Sequence, residues 1–371
     1  MKKVLFSATV DSHILAFHLP YLEWFKEQGY EVHVATNGAE QIPYCDVKHT
    51  VSFERSPFKM SNLKAIKQLK QIIEKEQFDI IHTHTPMGSV VTRLAARKAR
   101  KKFNTKIIYT AHGFHFYKGA PFHFWAIFYP VEKFLSKYTD VLITINQEDY
   151  ELAKNKFKKT KVEFVPGVGI DEKKFDFKMS IKEKEELRNS LGLKKNDFVM
   201  IYVAEISKRK NQEWLINTLK PLLDENTDMH LLLAGRDNLD GLCQELTKEL
   251  NLINQIHFLG FRSDIPKLLK MSNLLLSSSR QEGLPVNIIE AMACGLSIVM
   301  TDCRGNRDLI DETNEIYLCE QENENQFQEA VEKVYNILQV SKKEIINRTV
   351  YKIYGIETIL HQLSQIYKDV M

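Results

Sequence analysis

The sequence predicts an α/β protein made of two doubly wound parallel sheets, each covered by helices on both faces. Three observations carry this. Short apolar runs such as "KVLFSATV", "DVLITIN" and "HLLLAGR" alternate with amphipathic helical intervals, the pattern of strand-helix-strand units. The series runs twice, on either side of the charged segment "DEKKFDFKMSIKEKEELRNSLG", so a linker is expected near residue 175. At 371 residues the chain is long enough for two domains of ordinary size.

In order, the first series places strands at "KVLFSATV", "EVHVATN", "FDIIHTHTP", "TKIIYTAHG", "DVLITIN" and "KVEFVPG". Thr, Asn, His and Gly gather at their ends. Ligands of open α/β sheets collect outside the carboxyl ends of the strands, so His82, His84 and His112 are expected to point into one crevice. The second series places strands at "DFVMIYVAE", "HLLLAGR", "QIHFLGF", "NLLLSSS" and "LSIVMTD". A last helical stretch, about 342–369, carries Tyr351, Tyr354, Ile356, Ile359, Leu360 and Leu363 and is expected to pack back on the first domain. The domains are therefore expected at 1–175 and 176–345, with 346–371 as the returning helix.

A composition of 44% hydrophobic and 27% charged residues describes a globular chain and argues against disorder. No apolar run approaches the ~20 residues that span a bilayer. "MKKVLFSATV" reads as a first strand with no cleavage-type segment after it, so a cytoplasmic protein is expected. Cys45, Cys243, Cys294, Cys303 and Cys319 lack paired C-x-x-C spacing, against a disulfide framework or a structural zinc site. His82 and His84 share one strand face without an evident third ligand, and no D-x-D pair ends a strand, so no metal site is expected. The net charge of +3 hides an asymmetry. Residues 1–170 hold 25 basic and 16 acidic residues, and the remainder 26 and 32, which suggests different partners for the two halves.

The most informative stretch is "RQEGLPVNIIEAMACG", residues 280–295. It follows an apolar run and reads as a strand turning into a helix, with Pro285 in the first turn and Gly295 at the end. Glu282 then lies before the helix and Glu290 in its second turn, roughly 12 Å apart along a helical rise. The helix N-terminus between them attracts an anion, and carboxylates on either side suit neutral, hydroxyl-rich groups. A nucleotide sugar has that layout. Taken alone, the two glutamates are equally consistent with ordinary complements to a helix dipole.

Two doubly wound domains with this E-x7-E stretch at a strand-to-helix junction of the second resemble the glycosyltransferases of the GT-B fold, and most closely glycosyltransferase family 4, the retaining group. The resemblance covers essentially the whole chain. "EGLPVNIIEAMACGLSIVMTDCRGNRDLI", "VAEISKRKNQ", "LLLAGRDN", "HFLGF" and "FVPGVGID" match the family pattern. Together with "AFHLPYLEWFKEQGYEVHVATNG", "HTHTPMGSVVTRLAARKARKK" and "TAHGFHFYKGAP" they resemble its bacterial capsule and exopolysaccharide branch.

The resemblance implies two Rossmann-like domains facing across a cleft, with the C-terminal helix crossing back to the first. It places Glu290 on the donor ribose hydroxyls and Glu282 beside the transferred sugar. Gly283, Leu284 and the neighbourhood of Pro285 would line sugar and phosphates, although Pro285 itself offers no N–H. His112 would lie near the sugar, Lys210 on the diphosphate, Gly235 on the donor side, and Arg262 and Phe261 at the base pocket. Two departures stand out. Glu205 occupies the place of a family arginine, leaving Arg209 or Lys208 as the nearest second cation. Asp11, Ser12 and His13 replace two glycines of the first strand-to-helix loop and are assigned, with Phe114, to the acceptor side. A helix N-cap by Asp11 or Ser12 is equally consistent.

The implied activity is transfer of a hexose or N-acetylhexosamine, with retention, from a nucleotide sugar to a lipid-linked saccharide in surface polysaccharide synthesis. UDP is preferred over GDP on branch resemblance. No metal or other cofactor is expected, because a helix N-terminus and Lys210 can stabilise the leaving phosphate. The interval Ile80–Val131 holds no acidic residue. Its cations, among them Arg93, Arg97, Lys98, Arg100, Lys101 and Lys102, and its aromatics, from Phe114 and Phe116 to Phe122, Trp125 and Phe128, suggest an anionic membrane surface as partner. A peripheral position on the inner face of the plasma membrane follows. The competing reading makes the aromatics core and the cations solvated. No nucleic-acid module is present. Two other functions fit the same fold, a GT-B nucleotide-sugar epimerase and a non-catalytic nucleotide-sugar-binding scaffold, and the product formed separates all three.

Overall fold

Runs of valine, isoleucine and leucine buried on both faces form the parallel sheets that the sequence pattern predicts. The computed structural model describes residues 1–310, 315–340 and 349–371. The chain divides into two units, 1–169 together with 356–371, and 170–355.

In the first unit the strands are β1 (Lys3–Val10), β2 (Glu31–Asn37), β3 (Val47–Thr50), β4 (Ile80–Thr83), β5 (Lys106–Ala111), β6 (Val141–Thr144) and β7 (Lys161–Phe164). They lie in the order β3-β2-β1-β4-β5-β6-β7, all parallel. The winding reverses between β1 and β4, where such sheets open a crevice. One face is covered by the helices Asp11–Phe17, Leu19–Glu27 and Ile356–Val370. The helices Ser61–Glu76 and Pro86–Ala96 cover the other. The helix Ile356–Val370 buries Ile359, Leu363, Ile366 and Tyr367 in the first-unit core, at the spacing of one helical stripe.

The second unit holds β8 (Phe198–Val203), β9 (Met229–Ala234), β10 (Ile256–Gly260), β11 (Leu274–Ser277), β12 (Ser297–Thr301) and β13 (Ile316–Cys319), in the order β10-β9-β8-β11-β12-β13. Its main core packs Met200, Tyr202 and Leu231 of the sheet against Leu215, Leu219 and Phe327 of the helices.

Each sheet has an edge strand that the sequence pattern did not reveal. β3 and β13 have four residues each, and each pairs with a single neighbour. Such strands need neither length nor continuous apolarity. The change between units falls at 169/170, because Ile170 pairs with Gly355 and Phe175 is buried. The return falls at 355/356, and the boundary expected at 345/346 lies outside the described residues. Tyr351 and Tyr354, expected to pack back on the first domain, belong to the second unit instead, where the Tyr354 hydroxyl donates to the Asp308 carbonyl.

Candidate active site

β11 leaves the second-unit core through Ser277, Ser278 and Ser279, all buried. A loop then leads into the helix Val286–Ala293, with Pro285 as N-cap at φ −77°, ψ 112°. Proline fits there because the amide it lacks has no intrahelical partner. Gly295 follows the helix at φ +75°, backbone that glycine adopts without steric cost. Gly305, at φ +83°, lies so close to this loop that a Cβ would sit 2.3 Å from the Gly283 carbonyl oxygen. The loop after β12 therefore braces the one after β11.

The Glu282 carboxylate is buried in the second unit. It accepts from Lys210 Nζ at 2.5 Å, Ser279 Oγ at 2.6 Å and Arg209 Nη1 at 3.2 Å. Burial alone would raise its carboxyl pKa, but Lys210 and Arg209 outweigh that and hold it below the ordinary value. Lys210 is fixed from behind, since the Tyr202 and Ser278 hydroxyls donate to its carbonyl. Arg209 reaches Glu205 as well, at 3.3 Å, and Glu205 accepts from Asn238 Nδ2 at 3.0 Å. Burial works to lower the Arg209 pKa, yet Glu282 and Glu205 leave it raised. Glu205 thus holds Arg209 in place, while Lys208 is exposed. Three further residues complete the cluster and were not singled out from sequence. Arg304 donates to the Glu282 carbonyl at 3.1 Å, and the Tyr202 hydroxyl meets Ser279 Oγ at 2.7 Å. Arg304 directly precedes the positive-φ Gly305, and the glycine of "CRGN" is the local sequence signal for it.

Glu290 lies in the second turn of the helix Val286–Ala293, half-buried. Burial pushes its carboxyl up to about 7, with Lys174 opposing only in part. Leu284 is buried beside Pro285. Gly235 has a packing reason of its own, since a Cβ there would lie 1.8 Å from the Ala204 carbonyl oxygen. Phe261 is 71% exposed beneath the Arg236 guanidinium, 5.2 Å from its ring centre, and so offers a free aromatic face. Arg262 is tied to Asp264 through two bonds of 2.8 and 2.6 Å.

In the first unit a cavity of about 520 Å³ opens at the carboxyl ends of β1 and β5, lined by Ser12, His13, Arg55, Phe114, Phe128 and Glu132 among others. Ser12, His13 and Phe114 therefore line the same cavity. Asp11 does not join them. It caps no helix, the N-cap being Val10, and its buried carboxylate accepts from Lys48 Nζ at 2.7 Å, Thr36 Oγ1 at 2.5 Å and the Glu40 amide at 2.9 Å. A Cβ on Gly38 would lie 2.1 Å from it. Asp11 fastens the first loop to the β2–β3 side, a structural task, in place of the acceptor-side role expected for it.

The histidines separate in an unexpected way. His82 is sealed in the core, its ring between the Tyr367 hydroxyl at 2.7 Å and Thr110 Oγ1 at 2.8 Å. It therefore does not point into the crevice. His84 instead meets His13, His18 and His112, with one ligand atom from each of the four within 4.8 Å of the others. The expectation that no third ligand stands near the "HTH" pair is thus corrected, because the partners come from loops distant in sequence. Burial lowers the pKa of His13 to about 4 and those of His18, His84 and His112 well below the ordinary value, with repulsion from neighbouring histidines, His13 and His82 among them, adding to it for the last three. All four rings are neutral at pH 7.

The proposed cationic surface also changes. Arg93 is buried against Glu132 at 2.9 Å and stacks on Tyr109, while Arg100 binds Asp140 and the Lys137 carbonyl. Phe114 and Phe116 are core. What remains outside are Arg97, Lys98, Lys101 and Lys102, together with Phe122 and the exposed Ile127, Val131 and Phe134, the last three on one face of the helix Phe122–Ser136. Among the described residues no helix is long and apolar enough to cross a membrane.

Comparison with known proteins agrees with this architecture. Residues 3–146 match the family model "Glycosyl transferase 4-like", and residues 183–348 match "Glycosyl transferases group 1". The chain is 41% identical to the glycosyltransferase named EpsD of Bacillus subtilis, over 92% of this chain and 90% of that one. It is 26% identical to the UDP-Gal:alpha-D-GlcNAc-diphosphoundecaprenol alpha-1,3-galactosyltransferase of Escherichia coli, over 84% and 81%. Among solved structures, Anabaena HepE in complex with UDP and glucose covers both chains fully with a TM-score of 0.79 at 19% identity. With both halves matched to such families and a relative of this identity along nearly the whole length, the chain belongs to the family 4 glycosyltransferases and takes their two-domain GT-B fold.

Proposed function

We propose that this glycosyltransferase moves a hexose or N-acetylhexosamine, with retention, from a UDP-sugar to a lipid-linked saccharide in surface polysaccharide synthesis. The observation that carries the reading is the Lys210–Glu282–Arg209 cluster at the start of a helix whose second turn holds Glu290. Retention requires the nucleoside diphosphate to leave and the acceptor hydroxyl to approach on one face of the sugar. Lys210, Arg209 and the helix amides meet the charge that develops on the leaving phosphate, without need of a metal. That phosphate can take the acceptor proton, so no separate base is assigned. Glu282 steers Lys210 and accepts from the sugar hydroxyls, while Glu290 accepts from the ribose. The named activity of the E. coli relative supports UDP and a diphospholipid acceptor. That of a Campylobacter jejuni relative, an N,N'-diacetylbacillosaminyl-diphospho-undecaprenol alpha-1,3-N-acetylgalactosaminyltransferase, 26% identical over 82% of this chain, supports a diphospholipid acceptor and an N-acetylhexosamine.

The first-unit cavity has a size and mixed lining that suit a saccharide. Val131 belongs both to its lining and to the exposed stripe of Ile127 and Phe134, an apolar surface on which a lipid tail can lie. The protein then works at the inner face of the plasma membrane. Replacing Ile127 and Phe134 by serine, with Lys101 and Lys102 by glutamate, is expected to reduce binding to anionic vesicles at least several-fold. The wild type should weaken with salt in parallel. Binding indifferent to all four changes would remove the membrane from the proposal.

The direct test incubates labelled UDP-hexoses and UDP-N-acetylhexosamines with extracted lipid-linked saccharides in excess EDTA. Transfer with retained configuration is expected. Release of epimerised sugar, donor hydrolysis alone, or complete loss restored by metal would each overturn a named part of the reading.

Glu290 adds a pH signature. Its carboxyl sits near 7, and only the ionised form accepts from both ribose hydroxyls. UDP affinity should therefore fall about tenfold from pH 8 to pH 6, as expected for one group losing its proton across that range. Calorimetry on Glu290→Gln separates this from titration of the phosphate itself. An unchanged pH slope in that variant would detach Glu290 from the nucleotide.

A further inference from the structure

The first unit gathers four imidazoles that the transfer reaction does not require as a set. His13 lies in the helix Asp11–Phe17, His18 at the break before the helix Leu19–Glu27, His84 just past β4 and His112 just past β5. All stand at the carboxyl ends of the three central strands, where the winding reverses. His18 and His84 are 2% and 1% exposed.

Their hydrogen-bonding capacity is largely unused. His13 Nε2, both ring nitrogens of His18 and His84 Nε2 are buried with no partner. Buried polar atoms are ordinarily paired, and a neutral imidazole can offer one donor and one acceptor. Here they face one another instead. Ring centres are 4.8 Å apart for His13 and His112, 5.0 Å for His13 and His18, and 5.6 Å for His84 and His112. His112 Nε2 and His84 Nδ1 are 3.4 Å apart. A tetrahedral ion with nitrogen ligands at about 2.0–2.1 Å sets neighbouring ligand atoms roughly 3.4 Å apart. A small gap of about 10 Å³ adjoins His18, His84 and His112.

We propose that His13, His18, His84 and His112 form a binding site for one late first-row transition ion of the zinc class. The donor set decides the class. Four neutral nitrogens, with no carboxylate or thiolate in the group, suit zinc, cobalt, nickel or copper, whereas magnesium and calcium require oxygen ligands. The tilted rings of His18 and His84 lie 3.8 Å apart between centres, closer than two ligands of one tetrahedron, so binding separates this pair. The chain has a second candidate group, Glu31, His33 and Glu76, but Lys3 already occupies it, 2.7 Å from Glu76 and 3.7 Å from Glu31.

The full-length protein, stripped with EDTA and desalted, would be titrated with zinc chloride by calorimetry and with cobalt chloride by visible absorption. One ion per chain is expected, with the intense bands of four-coordinate cobalt, a rise in Tm on zinc addition and no binding of magnesium. His18→Gln and His84→Gln should each weaken zinc at least tenfold, and Glu31→Gln should leave it unchanged. No saturable binding to the wild type, a six-coordinate cobalt spectrum, or full affinity in folded His18→Gln and His84→Gln would overturn the assignment. The cobalt spectrum is read on the unaltered protein, so a variant that fails to fold does not remove the test.

Discussion

Lys210→Ala lowers kcat/KM by roughly a hundredfold or more, about 3 kcal/mol of transition-state stabilisation. The ammonium is buried, 2.5 Å from Glu282, and its main chain is anchored by two hydroxyls. It therefore has little freedom to reorganise as charge builds on the leaving phosphate, and preorganised charge is commonly the largest catalytic contribution. Arg209→Ala is expected to cost less, because its side chain is 45% exposed and solvent screens it. Glu205→Ala tests the carboxylate that holds Arg209. It frees Arg209 from one of two carboxylates, so the arginine should still reach the phosphates but hold its position less well, with a loss below tenfold. Steady-state kinetics on the three variants decides the order. Near-normal turnover in both Lys210→Ala and Arg209→Ala would dismiss the cationic leaving-group site.

Glu282→Ala is expected to lose stability as well as turnover, by about 3 kcal/mol, since it strands Lys210 in a buried place without its counter-charge. The double variant Glu282→Ala/Lys210→Met should recover much of that stability and none of the activity. The stability deficit also depends on pH. The Glu282 carboxyl is held below its ordinary value of 4.5, so its stabilisation is present above that value and lost as pH falls through the folded-state pKa. The deficit of the variant against wild type should therefore shrink in acid. UDP affinity should be preserved or increased, because the freed ammonium is left for phosphate. Denaturant unfolding and calorimetry read the two effects separately. A Glu282→Ala protein as stable as wild type would show that the buried pair contributes nothing net, and equal loss of UDP binding would contradict the division of tasks between Glu282 and Glu290.

Much of this was legible along the chain. The apolar strands, their repetition, and the placing of Pro285 before and Gly295 after a helix follow from local chemistry, which acts over a few residues and leaves a pattern there. That Glu282 and Lys210 serve one donor site was reached only by resemblance, and their direct ion pair only by the fold, since 72 residues separate them. The edge strands escaped because a strand with one neighbour need not be apolar or long.

What the sequence determined by itself is the α/β architecture and the strand-to-helix junction with its two glutamates. What only the tertiary structure decided is which side chains share a space. Asp11 became a fastener because β2 and β3 bring Thr36 and Lys48 against it. Arg93 left the surface because Glu132, beyond the acid-free interval, meets it in the interior. His82 was taken into the core by Tyr367 from the far end of the chain, while His84, two residues on, joined His13, His18 and His112. The physical reason is common to all three. Burial and charge pairing depend on distances across the fold, and a linear pattern fixes only which face of an element a residue occupies, not what the folded chain sets opposite it.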